Sequence, residues 1–268
     1  MTAPSDESSA PGAEPVLAET DVALGDASSI TAAFLSRNSD IGEGLRAVGT
    51  RLRLGLKGRQ FRTLAVTSSV EGDGKTSVAV GLAAALANAG QRVLLIDADV
   101  RRRSVAPMLA IPPGVGLAEW LESNASTLPV RRMTGAGFHV LSAGLRSCRP
   151  ELLGARRMTD LLNAARRQFD LVLLDCAPLL PVSDSLGLKD QVEGFLMVVR
   201  ARHTPRKALA RATALLGRRR ILGIVMNAYR SRMPMQGGYG YGSYHYGSHY
   251  KSYPKGDVTS ALRPGRLE

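Results

Sequence analysis

Aromatic side chains are scarce in this chain, 5% of 268 residues with a single tryptophan. Their placement is uneven: all seven tyrosines fall between Tyr229 and Tyr253. A hydrophobic core draws aromatics from the whole chain, so these tyrosines serve something other than packing. Cysteine is nearly absent. Cys148 and Cys176 are the only two, which excludes a disulfide framework and a cysteine-based metal site. Cys176 lies in an apolar run and reads as a small buried residue rather than a nucleophile. No stretch approaches the ~18 consecutive apolar residues of a membrane span. The N-terminus lacks the basic and apolar segments of a secretory peptide. A cytoplasmic protein is expected, and any attachment to the inner face of a membrane would come through a partner or a charged surface.

The net charge of +12 is divided. Residues 1–40 hold seven acids and one base, −6, which leaves +18 for the rest. A basic body favours acidic partners such as nucleotide phosphates or anionic surfaces. Residues 1–40 are rich in Ala, Ser, Pro, Asp and Glu and read as a disordered leader. Residues 41–58 carry Leu45, Val48, Leu52 and Leu56 at helical spacing, the pattern of an amphipathic helix. From Arg62 short apolar runs alternate with helical segments. Strands are expected at 63–69, 93–99, 138–144, 171–177, 195–201 and 221–227. Helices are expected at about 76–89 with Gly90 as the stop, at 151–167, and at 205–216 with Thr204 as N-cap, Pro205 at the first position and Gly217 past the end. Continuous apolar strands alternating with helices predict an α/β fold: a mostly parallel sheet covered by helices on both faces, with ligands beyond the carboxyl ends of the strands. The expected domains are the leader 1–40, a nucleotide-binding domain 41–232, and a flexible Tyr-rich tail 233–268.

Three motifs carry chemistry. The first is SVEGDGKTS, 69–77, which follows a strand and opens a helix as a phosphate loop must. Ser69, Glu71, Gly72, Asp73, Gly74, Lys75, Thr76 and Ser77 would form the cofactor-binding loop. Gly72 and Gly74 let backbone N–H groups turn toward phosphate oxygens, Lys75 can reach the β- and γ-phosphates, and Thr76 can ligate Mg²⁺. Ser69 stands where the usual pattern begins with glycine. The second is LLIDADVRRR, 94–103. Asp97 and Asp99 end an apolar strand on one side of it, and buried carboxylates need a cation or a proton. Two turn-capping aspartates are the plainer reading; Arg101 to Arg103 favour a charged cleft. The third is FDLVLLDCAP, 169–178, where Asp175 occupies the usual position of a carboxylate that orients Mg²⁺. Pro178, Pro181 and Asp184 follow in a loop expected near the γ-phosphate.

Together these motifs resemble the cytoplasmic kinase domain of bacterial tyrosine autokinases that control capsular and exopolysaccharide export, a P-loop family. LSAG (141–144), RPELLGARRM (149–158), the VSD of 182–184 and GIVMNAY (223–229) resemble it too, as does the Tyr-rich tail. The resemblance implies an ATP- and Mg²⁺-dependent enzyme. Lys75 and Thr76 would hold MgATP. Asp97 and Asp99 would serve metal binding and acceptance of the tyrosine proton, Asp175 would complete the metal site, and Asn227 would lie near the adenine. Tyr239, Tyr241, Tyr244, Tyr246, Tyr250 and Tyr253 would be the phospho-acceptors, delivered from one subunit to its neighbour. A homo-oligomer is implied, and so is a membrane-spanning co-polymerase with a cytoplasmic tail that activates the kinase; in many members that region is fused to it.

The chain departs from the family pattern in two places. In the E-x-x-R-x-x-R motif associated with ring assembly, Glu43 and Arg46 match but the third position is Gly49. Cys176 replaces the usual Thr after the Walker B aspartate. Two other functions share the fold: a Min/Par-type positioning ATPase, and a non-catalytic ATP-bound regulator of an export complex. The former carries an extra lysine early in the phosphate loop, where this chain has Val70. Gly/Tyr/Ser tracts also occur in single-stranded nucleic-acid binders, but no nucleic-acid partner is expected here.

Overall fold

A computed structural model describes residues 14–23, 32, 39–54, 61–181 and 184–228. The tyrosine cluster lies outside the described residues, as do Leu56, Val182, Ser183 and most of the leader. The described residues build an eight-stranded sheet in the order β1-β4-β5-β3-β6-β2-β7-β8. Its strands are β1 (Val16–Ala23), β2 (Thr63–Ser68), β3 (Val93–Asp97), β4 (Thr127–Thr134), β5 (His139–Leu141), β6 (Leu171–Asp175), β7 (Gly194–Arg200) and β8 (Ile221–Asn227). All neighbouring pairs are parallel except β4 with β5. The central strands β2, β3 and β6 are buried at every residue. That is the consequence of helices on both faces, and it explains why these strands read as unbroken apolar runs.

The helices are α1 (Asp40–Arg53), α2 (Lys75–Asn88), α3 (Val105–Met108), α4 (Leu117–Glu122), α5 (Arg156–Gln168) and α6 (Arg206–Leu216). Helix α2 is apolar on nearly every side, with Val78, Val80, Leu82 and Leu86 buried, so it packs between the sheet and α1. A Leu82→Ala change there removes contacts on both sides and would cost about 2–5 kcal/mol. Gly90 takes the left-handed conformation (φ 87°), and the Gln91 N–H reaches back to the Leu86 carbonyl (3.2 Å) to end the helix. Helix α1 is capped by Ser39, whose hydroxyl accepts from the Gly42 N–H (3.0 Å). It buries Gly42, Leu45, Gly49 and Leu52. A Cβ on Gly49 would press on Leu86 Cδ2 at 3.2 Å. The position where the ring motif carries its second arginine therefore faces the core here.

Several expectations are corrected. Residues 16–23, assigned by composition to a disordered leader, form β1, held in register along the whole of β4 from Val16↔Thr127 to Ala23↔Thr134. Only Leu17 of β1 is buried, so hydrophobic patterning gives it away poorly. Strand β4 was not expected either, because Pro129 and Arg131–Arg132 interrupt its apolar alternation. The strand expected over 138–144 is reduced to His139–Leu141. The helix expected over 151–167 splits into a 3₁₀ turn, Pro150–Gly154, and α5. Thr204 does not cap α6: Pro205 precedes its first residue, and the Thr204 hydroxyl is engaged elsewhere.

The LSAG turn has a steric reason. Glu119 of α4 accepts from the N–H groups of Gly116, Leu145 and Arg146 at 2.8–3.0 Å. A Cβ on Gly144 (φ 110°) would overlap that carboxylate, so the latch admits only glycine.

Candidate active site at the carboxyl ends of the central strands

The ordering of the sheet brings the three motifs together. Asp97 and Asp175 face each other in register at the ends of β3 and β6. Strand β2, on the other side of β6, runs into the phosphate loop and from there into α2. The loop after β6 is stitched to the start of the phosphate loop. Thr67 donates to the Ala177 carbonyl (2.8 Å), and the N–H groups of Leu179 and Leu180 donate to the Ser68 and Ser69 carbonyls (2.9 and 3.2 Å). Gly72 and Gly74 both take positive φ (79° and 86°), as the curled loop requires.

Lys75, buried at the start of α2, pairs with Asp99 at 2.9 Å. Burial works against its ammonium, but Asp175 and Asp99 outweigh it, and its pKa stands above the ordinary lysine value. Asp97, Asp99 and Asp175 are all essentially inaccessible to solvent. Their oxygens are used differently. Asp97 accepts from the Asp99 N–H (3.2 Å) and the Val105 N–H (3.0 Å). Asp99 lies past the end of its strand, in the loop, and gives one oxygen to the Arg102 N–H (3.1 Å) and the other to Lys75. Turn capping and charge pairing thus coexist in this pair. Burial and the facing Asp175 push the Asp97 carboxyl well above the usual range, against the pull of its two N–H donors.

Asp175 is the exception. Both its oxygens are buried and neither has a hydrogen-bond partner among the described residues. Burial pushes its pKa up to about 6, while Lys75 and the adjacent Thr76 hydroxyl pull it down. Thr76 is thus near Asp175 without a hydrogen bond of standard geometry. A buried carboxylate without a donor is costly, and a divalent cation is the group that relieves it. Among the described residues no three His, Cys, Asp or Glu side chains form a metal-binding cluster. Mg²⁺ in nucleotide sites takes only one or two protein ligands, with phosphate oxygens and waters completing its shell. Thr76 and Asp175 fit that requirement.

The arginines of the second motif separate by partner. Arg101 binds the buried Asp184 (2.6 and 3.3 Å), Arg102 pairs with Glu71 of the phosphate loop (2.7 Å), and Arg103 donates to the Leu145 carbonyl. Cys176 is fully buried, and burial with Asp175 beside it pushes its thiol pKa far up, so it is no nucleophile. Asn227, at the end of β8, donates to the Asp73 carbonyl (2.8 Å). It therefore reaches the phosphate loop itself. Arg200, His203 and Thr204 also touch that loop. None of the three was expected from the sequence, where Thr204 read only as a helix cap.

Comparison with known proteins agrees with this geometry. The CbiA family, described as the CobQ/CobB/MinD/ParA nucleotide binding domain, matches residues 64–236. The tyrosine-protein kinase YwqD of Bacillus subtilis is 30% identical over 203 residues, covering 74% of this chain and 85% of that protein. The chain belongs to the bacterial tyrosine-protein kinase family, within the MinD/ParA class of nucleotide-binding domains. The kinase domain of Escherichia coli tyrosine kinase ETK superposes with a TM-score of 0.67 at 30% identity, over 75% of this chain and 80% of that one. The succinoglycan biosynthesis transport protein ExoP of Rhizobium meliloti is 33% identical over 180 residues, 64% of this chain but 23% of ExoP. The chain therefore spans most of YwqD and about a quarter of the longer transport protein. Among the described residues of this kinase-family chain, no helix is long and apolar enough to cross a membrane.

Proposed function

We propose that this chain is an ATP-dependent protein-tyrosine kinase that phosphorylates its own C-terminal tyrosine cluster and so regulates polymerisation or export of a capsular or exopolysaccharide. The observation that carries the proposal is the convergence of Lys75, Asp99 and the unpartnered Asp175 at the mouth of the phosphate loop. The transport role rests on similarity to ExoP, named for succinoglycan biosynthesis transport.

In this reading the loop N–H groups and Lys75 hold the phosphates of ATP. Thr76 and Asp175 would hold Mg²⁺, which supplies neutralisation of charge on the phosphate oxygens. Phosphoryl transfer asks chiefly for positioning and charge neutralisation. When Lys75 turns from Asp99 to a phosphate, Asp99 Oδ2 is released and can take the tyrosine proton, while Oδ1 stays on the Arg102 N–H. The phenolic oxygen then bonds to the γ-phosphorus, the bond from phosphorus to the bridging oxygen breaks, and ADP leaves. Asp97 accepts one backbone N–H on each oxygen, which fixes the turn that carries Asp99, and its remaining lone pairs would join Thr76 and Asp175 around the cation. The acceptors would be Tyr239, Tyr241, Tyr244, Tyr246, Tyr250 and Tyr253, delivered in trans within a homo-oligomer. Each phosphate adds about −1.5 to −2 charges, enough for several to make the tail acidic and alter its hold on a basic body. A membrane-spanning activator with a cytoplasmic tail would bring the kinase to the inner face of the membrane.

The decisive experiment is phosphotyrosine blotting of the full chain and its Lys75→Met variant, each with and without the activator, with circular dichroism confirming that both fold. Phosphotyrosine on the wild type and none on the variant is expected. A wild-type tail that stays unmodified with the activator present removes the kinase reading and leaves an ATP-bound regulator. Steady ATP hydrolysis without tail modification would point to a positioning ATPase, against which Val70 stands.

A further inference from the structure

Three consecutive carbonyls of the phosphate loop are held from one side by residues remote in sequence. His203 Nε2 lies 2.9 Å from the Glu71 carbonyl; a carbonyl only accepts, so that ring nitrogen carries the proton. Arg200 donates to the Gly72 carbonyl (3.0 Å). Asn227 donates to the Asp73 carbonyl (2.8 Å). A trans peptide is planar, with its N–H opposite its C=O. Pinning these three carbonyls toward β7 and β8 therefore turns the N–H groups of Gly72, Asp73 and Gly74 the other way. Among the described residues, those three N–H groups donate to no backbone carbonyl. They form the concave row of donors that takes an anion.

The fourth contact fixes the others. Asp73 is fully buried. The Thr204 hydroxyl donates to its Oδ1 (2.6 Å) while accepting from the Arg200 N–H (2.8 Å). One hydroxyl thus ties the loop to the turn that carries both Arg200 and His203. The other carboxylate oxygen, Oδ2, is buried with no hydrogen-bond partner, so Thr204 is the only hydroxyl among the described residues that bonds this carboxylate.

We propose that the β7–α6 turn and the end of β8 form a brace that sets the shape of the phosphate loop, and that Thr204, acting through Asp73, is a positioning residue for nucleotide binding. The inference deepens the kinase reading and rests on the same site, but its readout is binding of nucleotide rather than transfer. Removing one hydrogen bond to a buried charged group lowers affinity by about tenfold or more.

The test is titration of the full-length wild type, Thr204→Val and Thr204→Ser with a fluorescent ADP analogue and Mg²⁺, alongside ATP-dependent phosphotyrosine formation and thermal melting. Thr204→Val should raise Kd, and the KM for ATP, by about tenfold or more with kcat at saturating ATP changed less than about threefold. Thr204→Ser should restore both. An unchanged Kd in Thr204→Val overturns the proposal. So does a loss of affinity that Thr204→Ser fails to restore, or one that only tracks a lower Tm, since a purely structural hydroxyl behaves that way. If the analogue binds, weakens in Thr204→Val and recovers in Thr204→Ser while no tyrosine is modified even with the activator present, the brace stands and the kinase reading falls.

Discussion

The two edges of the sheet are built alike and do different work. Strand β1 lies parallel to β4 at one edge, and β8 lies parallel to β7 at the other. Each contributes little to the core: Leu17 is the one buried residue of β1, and no residue of β8 is fully buried. At the β1 edge the polar contacts stay within that edge and its immediate neighbours. Glu19 meets Arg92 (3.2 Å) and His139 (3.3 Å), and Asp21 meets Arg132 (3.8 Å). At the β8 edge they end on the phosphate loop. The strand order supplies the reason. Strand β7 adjoins β2, whose carboxyl end is the loop, whereas β1 is separated from the nearest site-bearing strand, β3, by β4 and β5. An edge gains a role in binding by standing one strand from the site, and its own composition does not disclose it.

The largest expected effect that tests this contrast is at Gly74. A Cβ there would overlap the Asn227 side-chain amide, and φ is 86°. Gly74→Ala must push the Asn227 amide off the Asp73 carbonyl and strain the left-handed backbone of the loop. We expect binding of a fluorescent ATP analogue to weaken by roughly 100-fold or more, about 3 kcal/mol. Retained affinity would mean that the β8 edge does not shape the loop.

Next is Asp175→Asn, which should abolish Mg²⁺-dependent transfer while stabilising the free protein at alkaline pH. The folded pKa of about 6 lies above the ordinary 3.8, so the native state binds this proton more tightly than the unfolded chain does. Its contribution to stability is complete below about pH 4 and is lost as pH rises through about 6. At pH 8 the buried charge is a cost that asparagine removes, and Tm should rise by roughly 5 °C; at pH 4 the two proteins should melt together. A variant that melts lower at pH 8 would show that Asp175 is held by partners other than a cation.

The smallest effect belongs to the other edge. Asp21→Asn removes an exposed ion pair with Arg132, worth about 1 kcal/mol at most. Urea unfolding should show that loss at low salt, and 0.5 M NaCl should erase it. Kd for nucleotide should not move. A change in Kd would tie the β1 edge to the site and remove the contrast.

Much of the centre was legible in the sequence because its physics is local. A glycine-bearing loop between an apolar strand and a buried helix, and aspartates closing apolar strands, follow from covalent neighbours and from period-two or helical patterning. The parallel α/β sheet followed from the alternation of such segments. What escaped had a weak pattern or a distant partner. Strands β1 and β4 bury too few residues, or interrupt them with Pro129 and two arginines, to read as strands. Asp97 and Asp175 looked alike, each the last residue of an apolar strand. Only the tertiary structure shows Asp97 accepting from the Asp99 and Val105 N–H groups while Asp175 takes no backbone N–H and lies beside Lys75 and the Thr76 hydroxyl.

The sequence by itself determined the nucleotide-binding centre, because the loop, its lysine and the strand-ending acids are spelled out within short stretches of chain. Tertiary structure alone decided which edge strand reaches the phosphate loop, that Asp97 and Asp175 face each other, and what the Thr204 hydroxyl bonds. Each of those depends on groups brought together across 78 to 154 residues of chain, as Asp97 is with Asp175 and Asp73 with Asn227. Hydrogen-bond partners at such separations are fixed by strand order and register, and no local pattern encodes them.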